Sequence, residues 1–174
     1  MTTRSHSRLE FRKQGTNGWG AITGSLTLFE GTTKLLVSEV FSGGIVPETG
    51  KRLEALGDGH YTIRLDINRS VASAGSIFMS DEGVWMLPPC FGFQTIPESV
   101  DTVIQGKIDP QWEWGSMRVR LIPPSGEHRA THVGNYLHGK KRPGDYTHGC
   151  ICERSEKILG RLRVLTGHIP VLVC

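Results

Sequence analysis

Apolar residues recur along this chain in short runs, and most of those runs alternate with polar ones. The first strong pattern is Gly24-Ser-Leu-Thr-Leu-Phe-Glu-Gly31, followed by Thr32-Thr-Lys-Leu-Leu-Val-Ser-Glu-Val-Phe41. Two runs of strand-forming residues divided by a glycine turn predict a β-hairpin. In His60–Ile67, Tyr61, Ile63, Leu65 and Ile67 fall on one face and Thr62, Arg64 and Asp66 on the other, so this strand has a core side and a wet side. Ile77-Phe-Met79 and Val84-Trp-Met-Leu87 are further short apolar runs. Gly115–Ile122 returns to strict alternation, Met117, Val119 and Leu121 against Arg118 and Arg120, and Pro123-Pro124 stops it. Tyr136-Leu-His-Gly139 reads as the end of a strand, and Ile169–Val173 as a terminal strand. Only Ser155–Arg163 has clear helical spacing, with Ser155 as N-cap and Ile158, Leu159 and Leu162 on one stripe.

Between Cys90 and Glu113 the pattern weakens, which predicts a long loop with a short helix near Glu98–Gln105. Residues 1–20 are polar and contain glycine, and read as a loosely held arm or edge strand. The expected organisation is an N-terminal arm over 1–24 and one domain over 25–174. With about eight short strands and one or two short helices, the fold class is mainly β, a mostly antiparallel sandwich or barrel.

Composition narrows the function more than the fold. A chain of 174 residues with 22 glycines and 9 prolines suits one loop-rich domain. The net charge of +3 comes without a Lys/Arg-dense face interleaved with aromatics, which argues against nucleic acid and leaves an anionic polymer such as a cell wall as a suitable partner. No apolar run approaches the eighteen or so residues a membrane span requires. Met1–Glu10 carries charges with no apolar core behind them, so the expectation is a chain made in the cytoplasm without a signal peptide. The four cysteines, Cys90, Cys150, Cys152 and Cys174, are few and unevenly spaced for a disulfide framework, and at least one is better explained by chemistry.

That chemistry concentrates in Tyr136–Glu153. A thiol attacks a carbonyl only as thiolate, so it needs a histidine to take its proton and peptide N–H groups to hold the oxyanion. Thr147-His148-Gly149-Cys150 puts a glycine before the thiol, where substrate approaches and N–H groups converge. His138 is the expected base, and His132 is its rival on the same approach. A zinc site built from His138, His148, Cys150 and Cys152 is the alternative by ligand type, although Cys-x-Cys lacks the spacing structural sites favour. A non-catalytic wall-binding β domain is another. For Cys152 the plainer reading is core packing. His148 reads as a scaffold for the turn or support for the oxyanion hole, and Lys140-Lys141-Arg142 as a solvated loop or a patch for carboxylates.

His138-Gly139 followed by Thr147-His148-Gly149-Cys150-Ile151 resembles the signature of the YkuD-type L,D-transpeptidases. The short loop between the two is similar to the branch delivered by type VI secretion systems as peptidoglycan-targeting effectors. Val40-Phe-Ser-Gly-Gly44 and Gly57-Asp-Gly-His-Tyr-Thr-Ile63 resemble two strands of that family, so the likeness runs from about Leu26 to Leu162. It implies Cys150 as nucleophile, His138 as base, N–H groups around His148, Gly149 and Cys150 as oxyanion hole, and Gly139 or Thr147 as the group that orients the imidazole. Tyr136, Arg142 and Tyr146 become the expected substrate contacts. The implied activity is L,D-carboxypeptidase, L,D-transpeptidase or D-amino-acid exchange on peptidoglycan stem peptides, without a cofactor or metal; a peptidoglycan endopeptidase is the nearest enzymatic alternative. The implied partners are a secretion apparatus and an immunity protein, and the implied place of action is the periplasm of a target bacterium. Cys152 stands where the family usually has Arg or Asn, so Arg154 or Arg142 is expected to supply that role.

Overall fold

A computed structural model describes residues 6–66, 70–71, 78–79, 85–87, 90–102, 106–125 and 134–174. The elements in chain order are β1 (Ser7–Thr16), β2 (Ile22–Glu30), β3 (Thr33–Ser42), β4 (Gly44–Ile45), β5 (Arg52–Leu53), β6 (Gly59–Arg64), β7 (Ser70–Val71), β8 (Phe78–Met79), β9 (Trp85–Met86), β10 (Phe93–Thr95), β11 (Val100–Thr102), β12 (Gly106–Ile108), α1 (Gln111–Trp114), β13 (Met117–Leu121), β14 (Asn135–His138), β15 (Ile151–Cys152), α2 (Lys157–Leu162) and β16 (His168–Val173). The fold is mainly β, with two short helices, as the alternating runs imply.

Among the described residues ten strands form one sheet, in the order β6-β16-β1-β2-β3-β15-β14-β13-β10-β7. The sheet is mixed. β1 runs parallel to β16, β14 to β15 and β10 to β7, and the other pairings are antiparallel. It curls far enough for β6 and β13 to meet at one antiparallel bridge, Thr62 with Ile122, sealed by two backbone hydrogen bonds of 2.8 and 2.9 Å. One bridge is not a ladder, so the curl is not a closed barrel. Leu9, Phe11, Leu26, Leu28, Ile63, Val119, Leu137 and Ile151 fill the concave side, all at most 1 % exposed. Each apolar side chain so buried contributes about 1.5–3 kcal/mol. α2 lies against β3 and β13 and brings Ile158, Leu159 and Leu162 to the same core.

The predicted hairpin is β2–β3, in register from Ile22 with Ser42 to Glu30 with Thr33. Three expectations are corrected. Residues 7–16 are not a loose arm or edge strand: β1 is paired on both sides, by β16 and β2, because Leu9 and Phe11 alternate with Arg8, Glu10 and Arg12 and point into the core. Val100–Thr102 and Gly106–Ile108 form a two-stranded hairpin where a helix near Glu98–Gln105 is expected; β-branched Val100 and Thr102 favour the extended form. The residue before α2 is Glu156 rather than Ser155. The helix start is satisfied by the fully buried carboxylate of Glu153, which accepts N–H bonds from Ile158 and Leu159 at 2.9 Å.

Candidate active site

Four strands of the sheet share one register row: Gln94 of β10 faces Arg118 of β13, Arg118 faces His138 of β14, and His138 faces Cys152 of β15. A second row pairs Arg120 with Tyr136. Side chains alternate along a strand, so Val119, Leu137 and Ile151 point into the core while Arg118, Arg120, Tyr136 and His138 stand on the opposite face. That face is not wet. Arg118 is 1 % exposed and Arg120 3 %, because Trp114 from α1 and the Cys90–Gln94 segment cover it. The guanidinium of Arg118 lies 4.7 Å from the Trp114 ring and 4.2 Å from the Tyr136 ring, and its Nε donates to Gln94 at 2.7 Å. Arg120 donates to the Tyr136 hydroxyl at 3.2 Å.

His138 and Cys150, twelve residues apart in the chain, both border the Trp114–Tyr136 cluster on this face. β14 delivers His138, and Cys150 immediately precedes the neighbouring β15, where its Sγ accepts the Tyr136 N–H at 3.4 Å. His138 Nδ1 is hydrogen-bonded to the Gly139 carbonyl, so Nδ1 carries the proton and Nε2 is the acceptor. The Trp114 ring centroid sits 4.9 Å from the imidazole. Burial dominates both titrations. It lowers His138 from 6.5 to about 3, with the Gly139 carbonyl opposing and Lys140, Arg118 and His148 adding to the drop. It raises the Cys150 thiol to about 11, against the Tyr136 N–H and the two arginines, which favour the thiolate.

The turn before Cys150 is fixed by Thr147. Its hydroxyl donates to the Cys150 carbonyl at 2.7 Å and accepts the N–H groups of Gly43 at 3.0 Å and Gly149 at 3.3 Å. Of the two residues expected to orient the imidazole, Gly139 does so and Thr147 instead anchors the turn to the end of β3. Gly149 has φ +103, a conformation that favours glycine, and His148 is exposed at the outer edge.

The basic run does different work from that expected. Lys140 is buried, donates to the carbonyls of Gly144 at 2.9 Å and Tyr146 at 2.7 Å, and lies 4.3 Å over the Tyr146 ring. Arg142 pairs with Glu113 at 2.6 Å and Glu48 at 3.8 Å, and Lys141 with Asp109 at 3.6 Å. Arg154 braces the same loop, bonding Asp145 at 2.6 Å and the carbonyls of Lys140, Arg142 and Gly144. Arg142 and Arg154 are thus both tied to this loop and its carboxylates, and the charge of Arg154 reaches Cys152. The cations whose charge reaches Cys150 are Arg118 and Arg120. Their signal in the sequence is two arginines in strict alternation on the strand before the histidine. Tyr136 is buried in the wall of the site, and Tyr146 packs on Trp19 at 5.9 Å. Cys152 is fully buried with Ala21 and Phe41, its thiol pushed up by burial. Cys90 joins Trp114, Tyr136 and Cys150 in one cluster. Among the described residues no three of His, Cys, Asp and Glu are grouped to hold a metal ion. His132 lies outside the described residues.

The sequence matches no protein-family model and no curated protein. No helix among the described residues is long and apolar enough to cross a membrane. The site thus holds a buried thiol, a neutral imidazole with a fixed tautomer, and a turn with a glycine before the thiol, groups of the types that acyl transfer through a thioester uses.

Proposed function

We propose that this protein is a cysteine enzyme acting on peptidoglycan stem tetrapeptides, as an L,D-carboxypeptidase, an L,D-transpeptidase or a D-amino-acid exchanger. The observation that carries the reading is that Cys150 and His138 border one buried cluster around Trp114, and that the imidazole has its Nδ1 proton tied to Gly139, which leaves Nε2 to act as base. Cys150 Sγ bonds to the carbonyl carbon of the diaminopimelate residue that precedes D-Ala. The thiol proton passes through His138 to the leaving amine as the C–N bond breaks, and D-Ala departs. Water or another amine then attacks the thioester and restores the thiol. The Cys150 N–H, at the end of the turn held by Thr147, is a donor for the tetrahedral oxyanion.

The short loop between His138-Gly139 and Thr147-His148-Gly149-Cys150, similar to that of secreted effectors of this chemistry, extends the proposal. A secretion apparatus carries the enzyme to the periplasm of a target bacterium, and an immunity protein in the producer blocks the site. Mass spectrometry of digested peptidoglycan tests the activity. Wild type should remove one D-Ala from tetrapeptides, and Cys150→Ala and His138→Ala should not. Full cleavage by Cys150→Ala overturns the reading, and cleavage at another stem bond identifies an endopeptidase instead. If His138→Ala stays active and His132→Ala does not, the base is His132.

A further inference from the structure

Glu156 is the one described non-glycine residue in the left-handed region, at φ 53 and ψ 22. Side chains other than glycine avoid that region, and where one is held there the surroundings over-determine it. Its position just before α2 does not explain it, because its carboxylate makes no bond to the helix start, which Glu153 satisfies. The carboxylate reaches instead across to the segment that carries the imidazole. One oxygen accepts the Ser116 N–H at 2.9 Å, and the other accepts the Ser116 hydroxyl. The carboxylate is also packed against two glycines: a Cβ on Gly139 would fall 2.1 Å from it, and one on Gly115 2.4 Å. Gly139 is the residue whose carbonyl holds His138 Nδ1. From the other side, the Glu153 N–H bonds the His138 carbonyl at 2.8 Å.

We propose that Glu156 is a positioning residue: held in a left-handed turn, its carboxylate packs the Gly139 peptide in the one orientation that presents a carbonyl to His138 Nδ1. The turn from Glu153 to Glu156 thus grips the His138–Gly139 step at both ends. Without the carboxylate, the Gly139 peptide has room to rotate, the acceptor leaves Nδ1, and the proton redistributes between the two ring nitrogens. A base that needs Nε2 unprotonated then loses its fixed tautomer. The catalytic half of this inference rests on His138 serving as the base; the tautomer half does not.

The test uses the full chain labelled with 15N, with Glu156→Gly, Glu156→Gln and Ser116→Ala. The readouts are melting temperature, the ring 15N shifts of His138 at neutral pH, assigned by their loss in His138→Gln, and the rate of D-Ala release from tetrapeptides. Glu156→Gly relieves the left-handed strain, so its melting temperature should hold or rise while the Nδ1–H population drops and release slows by about tenfold or more. Such a rise in stability with a loss of activity is not what a merely structural residue gives. Glu156→Gln keeps the acceptor and the volume, and should stay within about threefold of wild type. Unchanged tautomer and rate in Glu156→Gly overturn the proposal, as does a Gln variant as poor as the Gly variant. Should Glu156→Gly melt lower, Ser116→Ala decides in its place, since it removes a partner of the carboxylate without altering the turn: tautomer and rate must fall together, and unchanged values overturn the proposal. If Cys150→Ala releases D-Ala as well as wild type, the proposed function fails while the tautomer result stands on its own.

Discussion

Acid should unfold this protein partly through one residue, His138. Inside the fold its imidazole is held down from 6.5 to about 3, chiefly by burial. In the unfolded chain it returns to the ordinary value near 6.5. As pH falls from 7 to 4, the unfolded chain takes up this proton and the folded protein does not. The contribution is therefore present above about 6.5 and is lost progressively as pH falls towards 3. The interval from 6.5 to 4 is about 2.5 units, and at about 1.36 kcal/mol per unit the loss is about 3 kcal/mol by pH 4. In His138→Gln, which keeps a polar side chain of similar size that does not titrate, this share disappears. Urea unfolding followed by tryptophan fluorescence at pH 7 and pH 4 measures it. The wild type should lose about 3 kcal/mol more than the variant between the two pH values, because every other titrating group is common to both. Equal losses would refute the reasoning and show that protons reach His138 in the folded protein.

Cys150 makes the complementary prediction on the alkaline side. With its thiol at about 11 against 9 for an ordinary cysteine, iodoacetamide at pH 8 should alkylate native Cys150 about a hundredfold more slowly than the urea-unfolded chain. The native rate should rise with pH towards 11, and a plateau above pH 8 contradicts the burial argument. Arg154→Ala removes the brace on the 140–146 loop, so trypsin should cut after Lys140 or Lys141 about tenfold faster or more, with little change in the urea midpoint. Unchanged proteolysis would mean that Lys140, bonded to the Gly144 and Tyr146 carbonyls, holds the loop alone.

The elements legible in the sequence are those where hydrophobic period and buried face coincide. β2, β3, β6, β13 and β16 follow the two-residue period, and α2 follows the helical stripe of Ile158, Leu159 and Leu162. β1 was hidden because two apolar residues, Leu9 and Phe11, carry its whole inward face in a stretch that is otherwise polar. Met117–Leu121 shows the limit of the pattern from the other direction. Alternation separates Arg118 and Arg120 from the core face, but it does not reveal that Trp114 and the Cys90–Gln94 segment cover the arginine face as well. Burial of that second face is a tertiary fact. In the site, Cys150, His138 and Gly139 are readable because the motif keeps them close in the chain. Glu156 is not, because its reason for being there is a contact with Gly139 and Ser116 from the far side of β15.

For the proposed reaction, the two titrations together bear on how the thiol would be activated. Burial pushes the Cys150 thiol up to about 11 and the His138 imidazole down to about 3, so moving the proton from sulfur to imidazole in the resting site is uphill. The neutral forms are therefore favoured, and a preformed ion pair is not the resting state. Arg118 acts both ways, favouring the thiolate and disfavouring the imidazolium. The proton can leave sulfur only in step with the movement of negative charge onto a substrate carbonyl oxygen, where a peptide N–H receives it. On this account His138 works as a general base during attack, and the fixed tautomer matters more than its basicity. In the proposed reaction the constraint on Nδ1, which Gly139 supplies and Glu156 is proposed to stand behind, is then the feature of the site on which the rate would most depend.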